Sequence, residues 1–175
     1  MKFESALLCV FSLLIAGCSP KPAEDPSAAK LTAVESATLS PVETVDGVTT
    51  VRIAGTDRMQ FTLKEFTVRS GDTVRIVFTN TGRMPVIAMG HNVVFLNKGV
   101  DANAYAGKSA LARDTDFIPE SEAASVLAYT KLLGPDEIDT IEFIAPAPGD
   151  YAYICSFPAH CFAGMRGLMT VIAAE

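Results

Sequence analysis

An all-β sandwich or barrel is the fold predicted for this 175-residue chain, on three observations. Short runs rich in β-branched residues alternate polar with apolar positions. Turn signals separate those runs at sandwich-like intervals, and only one long stretch, from Asn97 to about Glu137, breaks the rhythm. The length suits one domain with a substantial core, plus whatever precedes it. With 49% apolar residues and a net charge of −6, and with no basic tract or interleaved aromatic platform, the composition argues against a nucleic-acid partner.

The first element is a leader. "MKFESALLCVFSLLIAGC" has a lysine followed by an apolar run from Ala6 to Ala16 that is too short to span a bilayer and ends in small residues. It reads as an export signal over residues 1–17. Its end, Ile15-Ala16-Gly17-Cys18, resembles the lipobox of bacterial lipoproteins, which implies that Cys18 is acylated and becomes the first residue of the mature protein. That places the chain on the periplasmic side of a bacterial membrane. Ser19 after the cysteine resembles outer-membrane sorting. Residues 18–48 then form a Pro-, Ala- and Ser-rich linker, with an extra strand near 38–45 as the alternative. A flexible segment of that length has an r.m.s. reach of roughly 30 Å.

The strands follow. "TTVRIAG", "MQFTLKEFTVRSGD", "TVRIVFTNTG", "HNVVFL", "DTIEFIAPAPGD", "YAYIC" and "GLMTVIA" are the candidates. In "TVRIVF", Val74, Ile76 and Phe78 share one face while Thr73, Arg75 and Val77 share the other. Gly71-Asp72, Thr81-Gly82 and Pro148-Gly149-Asp150 supply turns. The long interruption must contain structure of its own. Residues 101–113 offer an Asp101 cap and alanine-rich propensity; residues 120–133 offer Pro119, Glu120 and Glu122 at the start and Gly134-Pro135 at the end. "AGKS" at 106–109 lacks the first glycine and the feeding strand of a phosphate loop.

Cysteine and histidine usage points to a metal. Of four cysteines, Cys9 leaves with the signal and Cys18 carries lipid, so the mature fold keeps only Cys155 and Cys161. The two histidines of the chain are His91, opening a strand in "GHNVV", and His160, within C-x4-H-x4-M. A copper ion that cycles between two oxidation states calls for a soft thiolate, two imidazoles and a weak axial thioether. Cys155, His91, His160 and Met165 are that set.

The stretches "VRIAGTDRMQFTLKEFTV", "MGHNVVF", "AYTKLLG" and "YICSFPAHCFAGMRGLMTV" resemble the azurins, a cupredoxin family, over nearly all of residues 49–173. The resemblance implies a cupredoxin domain over 49–175. Its fold would be a two-sheet Greek-key sandwich with a short helical flap, holding one type 1 (blue) copper. It implies one-electron transfer rather than enzyme chemistry, between redox proteins such as c-type cytochromes or a terminal reductase or oxidase. On that pattern His91, Cys155 and His160 are equatorial ligands, Met165 is axial, and the Gly90 carbonyl approaches the metal from the opposite side. Asn92 would hydrogen-bond to the ligand loop and the Phe157 N–H would reach the thiolate. The resemblance also puts the helix at 101–113 and makes "SVLAYTKLL" extended. The H-x4-M spacing departs from the azurin H-x3-M and resembles auracyanins, plastocyanins and copper nitrite reductases. The azurin disulfide is replaced by Thr49 and Gly71, and its core tryptophan by Val93.

An apolar rim completes the expectation: Met84, Met89, Pro158, Ala159 and Phe162 would form a docking patch around a surface-facing edge of His160. Cys161 is not a ligand in this reading; it either faces the rim, open to oxidation, or is a small loop residue with no role. The alternative function is periplasmic copper storage or delivery. The closed loop and the small number of Met and His residues weigh against it.

Overall fold

The computed structural model describes residues 40–174; the expected signal peptide, Cys18 and the linker up to residue 39 lie outside them. The described strands are β1 (Val42–Val45), β2 (Val48–Thr56), β3 (Gln60–Phe61), β4 (Glu65–Arg69), β5 (Thr73–Asn80), β6 (Val94–Leu96), β7 (Val126–Tyr129), β8 (Ile138–Ile144), β9 (Gly149–Ile154) and β10 (Arg166–Ile172). They form two sheets. One has the order β1-β2-β5-β8 with β3 paired to β2, and the other has the order β4-β10-β9-β6-β7. The β2–β5 and β4–β10 pairs are parallel and the others antiparallel, so the chain repeatedly crosses between sheets.

The alternation seen in the sequence sets the faces. Along β2 and β5 every second residue is buried, putting Val51 and Ile53 opposite the partner sheet together with Val74, Ile76 and Phe78. The second sheet answers with Phe66, Val68, Phe95, Tyr151, Tyr153, Met169 and Val171. Tyr153 is the hub: its ring lies 5.5 Å from Phe61, 5.7 Å from Phe66 and 5.3 Å from Phe95. Its hydroxyl donates to the Leu63 carbonyl at 2.7 Å, so the buried polar tip is satisfied. Gly167 sits directly against that ring, where a Cβ would overlap it.

Three features differ from the sequence expectation. The sandwich starts before residue 49, because β1 pairs with β2 across a two-residue turn at Asp46 (φ 49°) and Gly47 (φ 75°). Asp-Gly between apolar positions is a hairpin signal, and both residues take the left-handed conformation that such turns require. Secondly, a four-residue helix α1 (Val86–Met89) follows Pro85. Thirdly, the helix of the insertion, α2 (Ala102–Ser109), stops four residues short of Arg113. Its start is as expected: the Asp101 carboxylate accepts from the N–H groups of Asn103 at 2.8 Å and Ala104 at 3.1 Å.

The competing helix at 120–133 does not form. Residues 120–125 make 3-10 turns broken at Glu122 (φ −108°, ψ 15°), and Val126–Tyr129 pair with β6 instead. Completing the second sheet outweighs the local helix signals. All of β6 is buried as a result. Phe95 faces the main core. Val94 and Leu96 face outward and are covered by Tyr105 and Ala106 of α2, with Ile154 and Cys161 beside them. The flap therefore builds a second, smaller core on the outside of the sheet. An exposed Lys108–Glu122 ion pair at 2.6 Å ties it to the 3-10 segment.

Candidate metal centre

The expected ligand residues converge at one end of the sandwich. His91 lies just before β6 and is fixed by a two-way bridge to Leu133: its N–H donates to the Leu133 carbonyl at 3.1 Å and its carbonyl accepts from the Leu133 N–H at 2.8 Å. Cys155 ends β9 and Met165 precedes β10, and the Cys155 N–H donates to the Met165 carbonyl at 3.0 Å. Between them the loop is pinned by His160 N–H to Phe157 O at 3.1 Å and by Met165 N–H to His160 O at 2.9 Å. Gly164 (φ 97°) takes the left-handed turn that the return to β10 requires.

The donor atoms form a triangle. Nδ1 of His91 and Nδ1 of His160 are 3.2 Å apart, and the Cys155 Sγ lies 3.4 Å from His160 Nδ1 and 3.9 Å from His91 Nδ1. A first-row ion bonded at about 2.0 Å to nitrogen and about 2.3 Å to thiolate in a trigonal plane spaces its donors by about 3.5–3.7 Å. These residues therefore closely fit an ion held in a plane by two nitrogens and one sulfur. Met165 is fully buried beside them. The His91 Nε2 is buried and makes no hydrogen bond, although the Thr56 carbonyl lies near enough to favour its protonated form.

Burial dominates the electrostatics. It lowers the pKa of His91, an effect that Thr56 and Asp57 oppose, and together with the neighbouring His91 it lowers His160 to about 4. It also pushes the Cys155 thiol up to about 12, against the backbone N–H groups of Asn92 and Phe157, which favour the thiolate. Without metal the cage holds two neutral imidazoles and a neutral thiol, and a soft cation entering it displaces the thiol proton. In the unfolded chain both histidines take up protons near pH 6.5. Between that value and about 4 the unfolded chain binds more protons than the fold, so copper-free stability is full above pH 6.5 and falls as the pH drops toward 4. Denaturant midpoints of copper-free protein at pH 7 and pH 5, a range where most carboxylates stay ionised, measure the loss; equal midpoints would contradict it.

Side-chain hydrogen bonds brace the surroundings on two sides. The Asn92 Oδ1 accepts from the Ser156 N–H at 2.9 Å and from its hydroxyl at 3.1 Å, and the Asn92 Nδ2 donates to the Ser156 Oγ at 2.8 Å. Asn80 holds the other side, donating to the Leu133 carbonyl at 2.9 Å and accepting from Gly82 N–H at 2.9 Å. Ser156, Asn80 and Leu133 escape a sequence reading, since nothing in their residue type sets them apart from ordinary strand and loop positions. Gly90 is buried, and its N–H closes α1 on the Val86 carbonyl at 2.9 Å. A Cβ there would stand 2.8 Å from that same oxygen, so space rather than backbone angle calls for glycine.

The rim is partly redrawn. Met84 and Phe162 are exposed, as is Ala159, while Met89 and Pro158 are half-buried. Exposed Val86 and Ile87 of α1 extend the apolar surface. His160 does not present an open edge: it is 2% exposed, with its ring 4.7 Å from Phe157, which in turn lies 5.0 Å from Phe117. Cys161 does not face the rim either. It is 1% exposed and packs into the small core under α2, its Sγ 3.8 Å from the Ala102 carbonyl. In the turn through Ala159–Gly164, His160 and Cys161 are both buried while Phe162 and Ala163 face outward.

Comparison with known proteins agrees with this geometry. The model of the family described as copper binding proteins, plastocyanin/azurin family, matches residues 48–172. Auracyanin-B of Chloroflexus aurantiacus is 35% identical over 133 residues, covering 75% of this chain; the chain spans about half of that relative, 53% of its length. Azurin-1 of Alcaligenes xylosoxydans xylosoxydans is 36% identical over 126 residues, covering 70% of this chain and 96% of the relative. The crystal structure of dithionite-reduced auracyanin from Roseiflexus castenholzii superposes with a TM-score of 0.64 at 38% identity, over 70% of this chain and 96% of that one.

Proposed function

Because the chain belongs to the plastocyanin/azurin family of copper binding proteins, we propose that it carries single electrons between redox proteins and makes or breaks no substrate bonds. Its cofactor is one type 1 copper ion. The observation that carries the proposal is the buried triangle of His91, Cys155 and His160 donors with Met165 beside it. Copper bound there supplies a one-electron couple. His91, Cys155, His160 and Met165 would hold it, with the Gly90 carbonyl as a further candidate donor. Four protein donors leave no open position for a substrate.

The rest of the site keeps those donors still. The Leu133 bridge, the Asn92–Ser156 clamp and the Cys155–Met165 link hold the frame in either oxidation state. Backbone N–H groups of Asn92 and Phe157 stabilise charge on the sulfur and so tune the potential. Electrons pass through His160, whose ring is screened from water by Phe157 and approached across Met84, Val86, Ile87 and Phe162. An apolar surface of that kind favours brief docking, because a partner excludes water there without forming slow-releasing ion pairs. The leader and lipobox support export, with the domain tethered through Cys18 to the periplasmic face of a membrane.

Adding copper(II) to the purified mature chain tests the function. The expected result is an intense blue thiolate-to-copper absorption with narrow hyperfine splitting in EPR. A colourless, tetragonal copper spectrum would sink the proposal, and rapid surrender of copper to a modest chelator would favour storage or delivery instead.

A further inference from the structure

We infer that Gly55 is a positioning residue of the copper site: its bare Cα surface makes the room in which the Met165 thioether stands. The inference rests on the ligand assignment above and adds a residue to it. Gly55 lies near the end of β2, where a glycine inside a strand commonly marks a close approach. Its backbone is not left-handed, so conformation does not ask for glycine. Space does. A Cβ at this position would stand 3.0 Å from the Met165 Cε, 3.0 Å from the His91 Cδ2 and 3.1 Å from the His91 Cγ, well inside ordinary contact.

Which of the three groups yields follows from how each is held. Gly55 itself cannot retreat. It pairs with Phe61 of β3 on one side and Asn80 of β5 on the other, and its carbonyl accepts from the Thr81 N–H at 2.9 Å and the Thr81 hydroxyl at 2.8 Å. His91 is locked by its two-way bridge to Leu133, and its fully buried ring keeps Nδ1 on the other donors. Met165 is also buried, but its side chain is unbranched, and the clashing atom is its terminal methyl. An added methyl at 55 is therefore relieved most readily by turning the Met165 side chain, which moves the sulfur bonded to that methyl, while the His91 contacts at 3.0 and 3.1 Å are left to much smaller shifts of a locked ring. The strand that bears the alternating core residues thus also forms the wall against which the Met165 thioether and the His91 ring stand.

The mature full-length chain tests this in four forms: wild type, Gly55→Ala, Met165→Ala and the double variant. Gly55→Ala is expected to remain blue, since Cys155 is untouched, but with altered EPR rhombicity and a shifted potential. It should also lose copper to a chelator about 10- to 100-fold more readily. In the Met165→Ala background, where the methyl's place is vacated and only the His91 contacts remain, the same glycine substitution should shift rhombicity and potential much less. A wild-type spectrum and potential in Gly55→Ala, or an equal shift in both backgrounds, would overturn the inference. If Gly55→Ala fails to fold, recovery of cooperative unfolding in the double variant supports it and continued failure overturns it. The copper-free proteins keep the two readings apart. Coupling between positions 55 and 165 in copper-free unfolding supports the contact even if the wild type proves not to be blue, an outcome that would fail only the ligand assignment.

Discussion

Replacing Cys155 with serine is expected to abolish the blue absorption while leaving the sandwich folded. Cys155 is fully buried, and its structural duty is carried by its backbone, whose N–H holds the Met165 carbonyl at 3.0 Å. Serine occupies nearly the same volume and leaves that bond intact. Chemically the exchange is severe. The thiolate is the only anionic soft donor in the triangle, whereas a serine hydroxyl is hard and stays neutral, leaving two imidazoles and a thioether to hold copper. Copper affinity should fall by more than the roughly 10- to 100-fold that outer hydrogen-bond partners are worth. Far-UV circular dichroism and denaturant unfolding of the copper-free variant would match wild type, and absorption after copper addition would show no intense thiolate band. A blue Cys155→Ser protein would remove the thiolate from the centre of the proposal.

Phe95→Ala should have the largest effect on stability. Phe95 is fully buried on β6 and meets Phe66 at 6.3 Å, Phe143 at 5.2 Å and Tyr153 at 5.3 Å, so it joins aromatic side chains from both sheets. Truncating such a ring costs about 3–5 kcal/mol through lost transfer energy and an unfilled cavity. For a domain of this size that is a drop in Tm of roughly 10–20 °C. No disulfide offsets the loss among the described residues, where Cys155 and Cys161 are both free. Denaturant unfolding of the copper-free protein measures it, and a loss below about 1 kcal/mol would mean that Phe95 is not the bridge its contacts describe.

What can be read from the sequence is whatever leaves a periodic or chemical trace. Alternation in β2 and β5 is a direct imprint of one face being buried, and Val74, Ile76 and Phe78 all point into the core as that pattern requires. The donor set stands out because the chain has only two histidines, both placed with respect to a cysteine and a methionine, and the structure brings those four side chains to one end of the fold. Position 95 shows the opposite case. "VVFL" carries no alternation, since Val94 and Leu96 are covered by α2 while Phe95 faces inward, so the two-sided burial of β6 depends on a helix that its own residues do not announce.

Where local signals and the structure part, the causes are similar. Adjacency to His160 suggests the rim for Cys161, but both residues are buried, in different surroundings that spacing cannot resolve, and α2 supplies an apolar socket for the thiol. The 120–133 segment has helix signals at both ends and loses them to strand pairing with β6, a contact between residues far apart in the chain. The β1–β2 hairpin is legible in Asp46-Gly47 but is outweighed by the linker-like composition of the segment around it. Gly55 leaves only the faint mark of a glycine in a strand, because the atoms that need its bareness belong to His91 and Met165, both distant in sequence.

The metal-binding loop leaves β9 after Ile154 and enters β10 at Arg166, two residues that face each other as a register pair. Both ends of the loop are thus fastened to the same rung of the ladder, and the Cys155–Met165 backbone bond closes it just above. A residue gained or lost between His160 and Met165 changes the arc above that rung without sliding either strand beneath it. The length of the H-x4-M arc and the register of the sheets are therefore separable variables in this fold, the one set above the rung and the other below it.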